Sequence, residues 1–210
     1  MYYKIILASN SPRRKELLAG LGLDFEVRTQ PGLDESYPDG LPTEEIAQYI
    51  SRKKAAAYTL GADELLITAD TIVCLDDEVL GKPTDEADAA RMLRKLSGRT
   101  HQVVTGVTLT YNVQSPMVNG QCSMVNERRQ HSFSSVSHVT FAELTEAEID
   151  YYVTHYRPLD KAGAYGIQEW IGYIGVTSLQ GSYFNVMGLP VQKLYTKLKE
   201  LGLSLRPSED

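Results

Sequence analysis

Leu65 to Cys74 reads LLITADTIVC, a near-continuous apolar run of the kind that forms a strand buried on both faces. Such a strand demands covering layers on either side, which already points to a sheet packed between helices. Asp70 interrupts the run. A carboxylate inside a buried strand is costly unless it is partnered. It is therefore either satisfied by a hydrogen bond or salt bridge, or it belongs to a site as a metal ligand or general base. Thr68 and Thr71 make the strand unusually polar at that point, which favours a site.

The rest of the chain supplies the layers. Tyr3 to Ala8 (YKIILA) reads as a short buried strand. Ser11 and Pro12 then open a helix carrying Leu17, Leu18 and Leu21, with Gly22 closing it. Gln30 to Pro42 reads as a loop, after which Thr43 is expected to cap a second helix with Ile46, Ile50 and Ala57 inward. Asp76-Asp77 predicts a hairpin turn, and Thr84 the start of a helix presenting Ala89, Leu93 and Leu96 and ending at Ser97-Gly98. Strands are expected near Gln102 to Tyr111 and Ser134 to Leu144. Between them, the polar segment Asn112 to His131 reads as a long loop or extended hairpin. Thr145-x-x-Glu148 is a capping box, the Gly/Tyr-rich final third predicts a further hairpin, and a last helix is expected from about Pro190. Strands and helices intermingle without repeats or linkers. The expected class is α/β, a mixed central β-sheet flanked by helices, with 1–210 as a single domain.

Composition narrows the chemistry. A net charge of −6 argues against a nucleic-acid polymer as partner, since phosphate neutralisation needs a basic surface. Basic residues nevertheless cluster in Arg13-Arg14-Lys15 and Arg52-Lys53-Lys54, which suits a small anionic ligand. No apolar run approaches the roughly 20 residues of a membrane helix. The start MYYKIILASNSPRR lacks the pattern of a signal peptide, so a cytoplasmic location is expected, with no membrane partner. Cys74 and Cys122 match no zinc spacing and read as a packed thiol and a loop thiol. His101, His131, His138 and His155 show no metal or nucleophile pattern.

The turn Ser9-Asn10-Ser11 and the helix opening Pro12-Arg13-Arg14 either bring hydroxyls, free helix N–H groups and guanidinium groups to one place, a favourable arrangement for phosphate, or form a plain N-cap with solvated arginines. Asp34-Glu35 offers hard oxygen ligands for a divalent ion, or is a solvated loop pair. Lys82 in Gly81-Lys82-Pro83 and Lys161 in Asp160-Lys161-Ala162-Gly163 either balance anionic oxygens or are exposed loop lysines.

Ordered blocks then add a resemblance. ASNSPRRKELL (8–18), ITADTIV (67–73), GKP (81–83), LRKLSGRTHQVVTGV (93–107), DKAGAYGIQ (160–168) and GSYFNVMGLP (181–190) resemble the Maf family of nucleotide pyrophosphatases over nearly the whole chain. The resemblance implies two lobes with a cleft, like inosine triphosphatases, and a homodimer. It also implies hydrolysis of the α–β phosphoanhydride of a nucleoside triphosphate with a divalent metal cation, Mg2+ or Mn2+. By that resemblance Asp70 is the catalytic proton acceptor. Arg13, Thr71 and Gln168 match positions linked to substrate choice in the dTTP/UTP branch. Glu35, Lys54, Lys82 and Lys161 match cleft carboxylate and lysines, with Glu35 and Asp70 as metal ligands. Ser9, Ser182 and Asn185 match more weakly. Alternatives are a modified purine triphosphate such as 7-methyl-GTP, or a non-catalytic nucleotide sensor in cell-division control. Two departures stand out: Glu169-Trp170 follows Gln168 where the family usually has Gly, and the Asn112 to His131 segment is long.

Overall fold

The computed structural model describes residues 2–114, 126–202 and 204–205. β1 (Tyr2–Leu7) feeds α1 (Pro12–Ala19), where Pro12 takes the first helical position and the Ser11 hydroxyl accepts the Arg14 N–H at 3.4 Å. β2 (Phe25–Val27), α2 (Thr43–Ala56), β3 (Glu64–Leu75), β4 (Glu78–Leu80) and α3 (Glu86–Leu96) follow. A long hairpin of β5 (Thr100–Gln114) and β6 (Asn126–Phe141) leads to α4 (Glu146–Tyr156). The chain continues through a single 3-10 turn (Ala162–Ala164), α5 (Trp170–Gly175), β7 (Val176–Gln180), α6 (Tyr183–Met187), α7 (Val191–Glu200) and β8 (Ser204–Leu205).

The strands join one mixed sheet in the order β2-β1-β3-β5-β6-β7, with β4 added to β3 and β8 to β1. β1 runs parallel to β2 and β3, whereas β3, β5, β6 and β7 pair antiparallel. Alternation along β3 divides the core. Leu65, Ile67, Ala69, Val73 and Leu75 enter the larger cluster with residues of α1, α3, α4 and α7. Ile72 and Cys74 pack instead with Ile46, Ala47 and Ile50 of α2. Burial pushes the Cys74 thiol up to about 11, as expected of a packed cysteine; Cys122 lies outside the described residues.

Two backbone features position the site. Gly106 of β5 pairs with Asp70, and a Cβ there would meet the α2 backbone at Ala47 and Gln48 at 2.2–2.4 Å. Glycine at this position lets α2 lie directly on the sheet beside Asp70. The second feature is a gap. β1 pairs with β3 only up to Ile67, extended by the Ala8 N–H to the Ile67 carbonyl at 2.9 Å, and β4 takes over at Val73. From Thr68 to Ile72 one edge of β3 therefore has no strand partner among the described residues, while β5 covers the other.

Several sequence expectations need correction. Thr43 is the first helical residue of α2, with Pro42 before it and no side-chain cap; Ala55 rather than Ala57 is the buried alanine at its end. Asp85, not Thr84, caps α3 by accepting the Asp88 N–H at 2.7 Å. The described parts of 112–131 continue β5 and β6, and only 115–125 lie outside the described residues. The hairpin expected in the final third is absent from the described residues: Trp170–Gly175 is a short helix, and β7 pairs with β6. The Thr145/Glu148 capping box forms as read, as does the Asp76-Asp77 turn. Among the described residues no helix is long and apolar enough to cross a membrane.

Candidate active site

A cleft of about 600 Å³ opens at the free edge of β3. Ser9, Arg13, Glu35, Lys54, Asp70, Thr71, Lys82, Lys161 and Gln168 all line it, whereas Asp34, Ser182 and Asn185 do not. The sheet explains how neighbours on one strand serve different walls. Asp70 projects on the α2 face and Thr71 on the opposite face.

On the α2 face, Asp70 is 9% exposed and accepts a hydrogen bond from the Lys54 ammonium at 2.6 Å. Lys54, from the last turn of α2, also contacts Glu35 at 2.8 Å, and Lys82 approaches Glu35 at 3.8 Å. The second Asp70 oxygen, Oδ2, has no hydrogen-bond partner among the described residues. Burial opposes ionisation of Glu35, but Lys54, then Lys82 and Arg14, outweigh it and hold its carboxyl below the usual range. Asp34 does not join this group: it pairs with Lys53 at 2.6 Å and caps the Ser36 N–H.

On the other face the two adjacent arginines part ways. Arg13 points across the mouth of the cleft to Asp160, at 3.2 Å. Arg14 turns inward and donates to the Gly188 carbonyl at 2.8 Å, the Ala69 carbonyl at 2.9 Å and the Thr71 hydroxyl at 3.0 Å. The Ala69 carbonyl is available because the β3 edge has no strand beside it there. Burial lowers the Arg14 pKa, while the nearby Asp70 charge supports the guanidinium. Thr71 continues to Thr105 at 3.0 Å, whose hydroxyl donates to the Asn185 carbonyl.

The far wall is the segment after α4. Lys161 is 7% exposed and lies between Asp160 at 2.7 Å and Glu169 at 3.1 Å. Burial opposes ionisation of Asp160 too, but Lys161 and Arg13 hold its carboxyl below the usual range. Gly163 makes this wall possible: its φ of +67° suits glycine, and a Cβ would press on Val73 at 2.9 Å. The Gln168 amide makes no hydrogen bond among the described residues, and its Oε1 is buried.

Sequence reasoning grouped Arg14 with Arg13 as a phosphate-facing guanidinium and missed its inward turn, and it passed over Asp160, although both stood inside quoted motifs. Glu169 and Trp170 do not line the cleft. Glu169 folds back onto Tyr152 and Lys161, and Trp170 packs edge-on to Tyr151 at 4.7 Å. Ser182 and Asn185 shape the wall from behind: Ser182 caps α6, and Asn185 is fully buried, donating to the Val103 carbonyl and the Ser137 hydroxyl.

The model of the family described as "Maf-like protein" matches residues 4–201, across every one of these walls. The chain belongs to the Maf family. Its relatives include the dTTP/UTP pyrophosphatase of Phocaeicola vulgatus, 62% identical over 201 residues covering 95% of this chain and 96% of that one. The protein of the same name from Porphyromonas gingivalis is 52% identical over 206 residues, covering 96% of each chain. That of Flavobacterium psychrophilum is 46% identical over 197 residues, covering 93% of each. Among solved structures, a HAM1 protein from Coxiella burnetii is 18% identical with a TM-score of 0.44, covering 94% of this chain and 99% of that one.

Among the described residues of this Maf protein, no group of three or more His, Cys, Asp or Glu side chains gathers as a metal cage. The donors present are Glu35 and Asp70, whose oxygens already meet at one cation, the Lys54 ammonium. Two hard carboxylates converging on one point fit an ion such as Mg2+, which commonly takes one or two protein carboxylates and completes its shell with water and substrate phosphate.

Proposed function

We propose that this protein hydrolyses the α–β phosphoanhydride of pyrimidine nucleoside triphosphates, dTTP and UTP, to the monophosphate and pyrophosphate, with the whole of 1–210 acting as one domain. The names of its Maf relatives support the substrate. The observation that carries the reaction is a nearly buried Asp70 held by Lys54 within a cleft also lined by Arg13, Arg14, Lys82 and Lys161. Such a cation-rich wall suits a polyanion, and positioning plus electrostatics carry phosphoanhydride cleavage without a covalent enzyme intermediate.

In this reading the start of α1, with Ser9 and Arg13, grips phosphate oxygens. Lys82 and Lys161 spread positive charge along the chain of phosphates. Lys54 fixes one oxygen of Asp70 and leaves Oδ2 to accept a proton from water as that water attacks in line; the bond to pyrophosphate then breaks. Arg14 braces the β3 edge, so that Asp70 and Thr71 keep their places. A divalent cation, Mg2+ or Mn2+, held by Glu35 and Asp70 would neutralise charge on the phosphate oxygens. The free Gln168 amide, donor and acceptor together, is suited to a base edge. We place the enzyme in the cytoplasm as a homodimer, with a small-molecule substrate and neither nucleic-acid polymer nor membrane as partner. The exposed Tyr173, Tyr183 and Phe184 offer apolar surface for pairing.

Turnover of dTTP, UTP, 7-methyl-GTP and ITP at saturating Mg2+ tests the substrate. The highest kcat/KM is expected for dTTP or UTP, and a best rate on either purine would overturn the pyrimidine assignment.

A further inference from the structure

The turn Gly166–Glu169 carries Gln168, whose amide makes no hydrogen bond among the described residues, so other groups must fix its position. The Glu169 N–H closes the turn on the Gly166 carbonyl at 2.9 Å. Tyr152, fully buried on α4, then bridges the two ends. Its hydroxyl accepts the Gly166 N–H at 3.0 Å and donates to Glu169 Oε2. The other carboxylate oxygen of Glu169 contacts Lys161 at 3.1 Å. A Cβ on Gly166 would meet the Glu169 carboxyl carbon at 2.8 Å, so a glycine is what lets that carboxylate fold over the turn. Burial, with the Glu169 carboxylate, pushes the Tyr152 phenol well above its usual range and keeps it a donor.

We propose that Tyr152 and Glu169 are positioning residues that clamp the Gly166–Glu169 turn, setting Gln168 for base recognition and Lys161 for the phosphates. The inference rests on the reading of this cleft as a pyrimidine triphosphate site. It assigns a task to Glu169, whose carboxylate folds away from the cleft onto Tyr152 and Lys161. A loose turn would leave the phosphate grip at α1 intact, loosen the contact through Lys161, and blur chiefly the choice of base. The clamp therefore acts on discrimination more than on the chemical step.

The test compares kcat/KM for UTP and GTP in wild type, Tyr152→Phe, Glu169→Gly and Glu169→Gln, alongside amide hydrogen exchange of Gly166. Tyr152→Phe and Glu169→Gly are expected to lower the UTP-to-GTP ratio about tenfold, through KM for UTP, as loss of one positioning hydrogen bond implies. Glu169→Gln, whose amide oxygen still accepts from Tyr152, keeps the ratio within about twofold. Gly166 exchange accelerates about tenfold in Tyr152→Phe. A purely structural role would lower the rates on both nucleotides alike, and that result, or an unchanged ratio, overturns the proposal. A wild type with no preference for UTP overturns the substrate reading. Unchanged Gly166 exchange in Tyr152→Phe overturns the clamp whatever the substrate.

Discussion

Arg13 and Arg14 are adjacent in sequence and opposite in consequence, which makes the pair a sharp test of the site's architecture. Arg14→Lys keeps the charge but cannot reproduce a guanidinium donating to Gly188, Ala69 and Thr71 at 2.8–3.0 Å in three directions. An ammonium at the same place satisfies one of these acceptors and strands two, and hydrogen bonds from charged donors contribute about 1.5–3 kcal/mol each. The lower end gives a loss of about 3 kcal/mol. For a chain of this size each kcal/mol lowers Tm by roughly 2–4 °C, so the expected drop is roughly 6–12 °C. Arg13→Lys disturbs only a contact to Asp160, whose side chain is 59% exposed, and pairs of that kind contribute about 0–1 kcal/mol. Its Tm should move by less than roughly 4 °C. Thermal unfolding of both variants by calorimetry, side by side, decides the matter. Equal shifts, or a larger one for Arg13→Lys, would refute the assignment of Arg14 as the brace between α1, β3 and the 188 loop.

Gly106→Ala should cost about 1–3 kcal/mol by forcing α2 off the sheet, and should lower kcat as Lys54 moves from Asp70; urea unfolding with steady-state kinetics reads both. The Arg28 guanidinium at 2.6 Å depresses the Glu64 carboxyl to about 2, well below its usual 4.5. Its stabilising effect is therefore complete above pH 4.5 and is lost as pH falls towards 2. Glu64→Gln should flatten the stability-against-pH curve across that window, and an unchanged slope would contradict the pairing.

Asp70 stood out in the sequence because a carboxylate in an apolar strand needs a partner, and the structure supplies one in Lys54. The helix start at Ser11-Pro12 and the Thr145/Glu148 box were legible because caps act locally. What stayed hidden depends on distant backbone. Gly106 looks like any strand glycine until α2 is laid across it. Periodicity cannot tell which of two adjacent arginines turns inward, since the acceptors at Ala69 and Gly188 are set by a gap in the sheet and a remote loop. The run WIGYIG has the apolar character of a strand, yet it forms a helical turn because Gly172 permits close approach to the Ile167 carbonyl, where a Cβ would sit at 1.9 Å. The polar segment after Tyr111 concealed the length of β5 and β6, whose ladder extends to Gln114 and Asn126 on backbone pairing rather than on apolar side chains.

In the proposed reaction Asp70 drives a cut between the α and β phosphates. Phosphorus NMR of UTP turnover at saturating Mg2+ tests it directly, with wild type and Asp70→Asn run in parallel. Uridine monophosphate and pyrophosphate are expected as the first products, with a kcat about 100- to 10,000-fold lower in Asp70→Asn, the range for loss of a general base. Release of inorganic phosphate with uridine diphosphate, or an Asp70→Asn enzyme as fast as wild type, would contradict it.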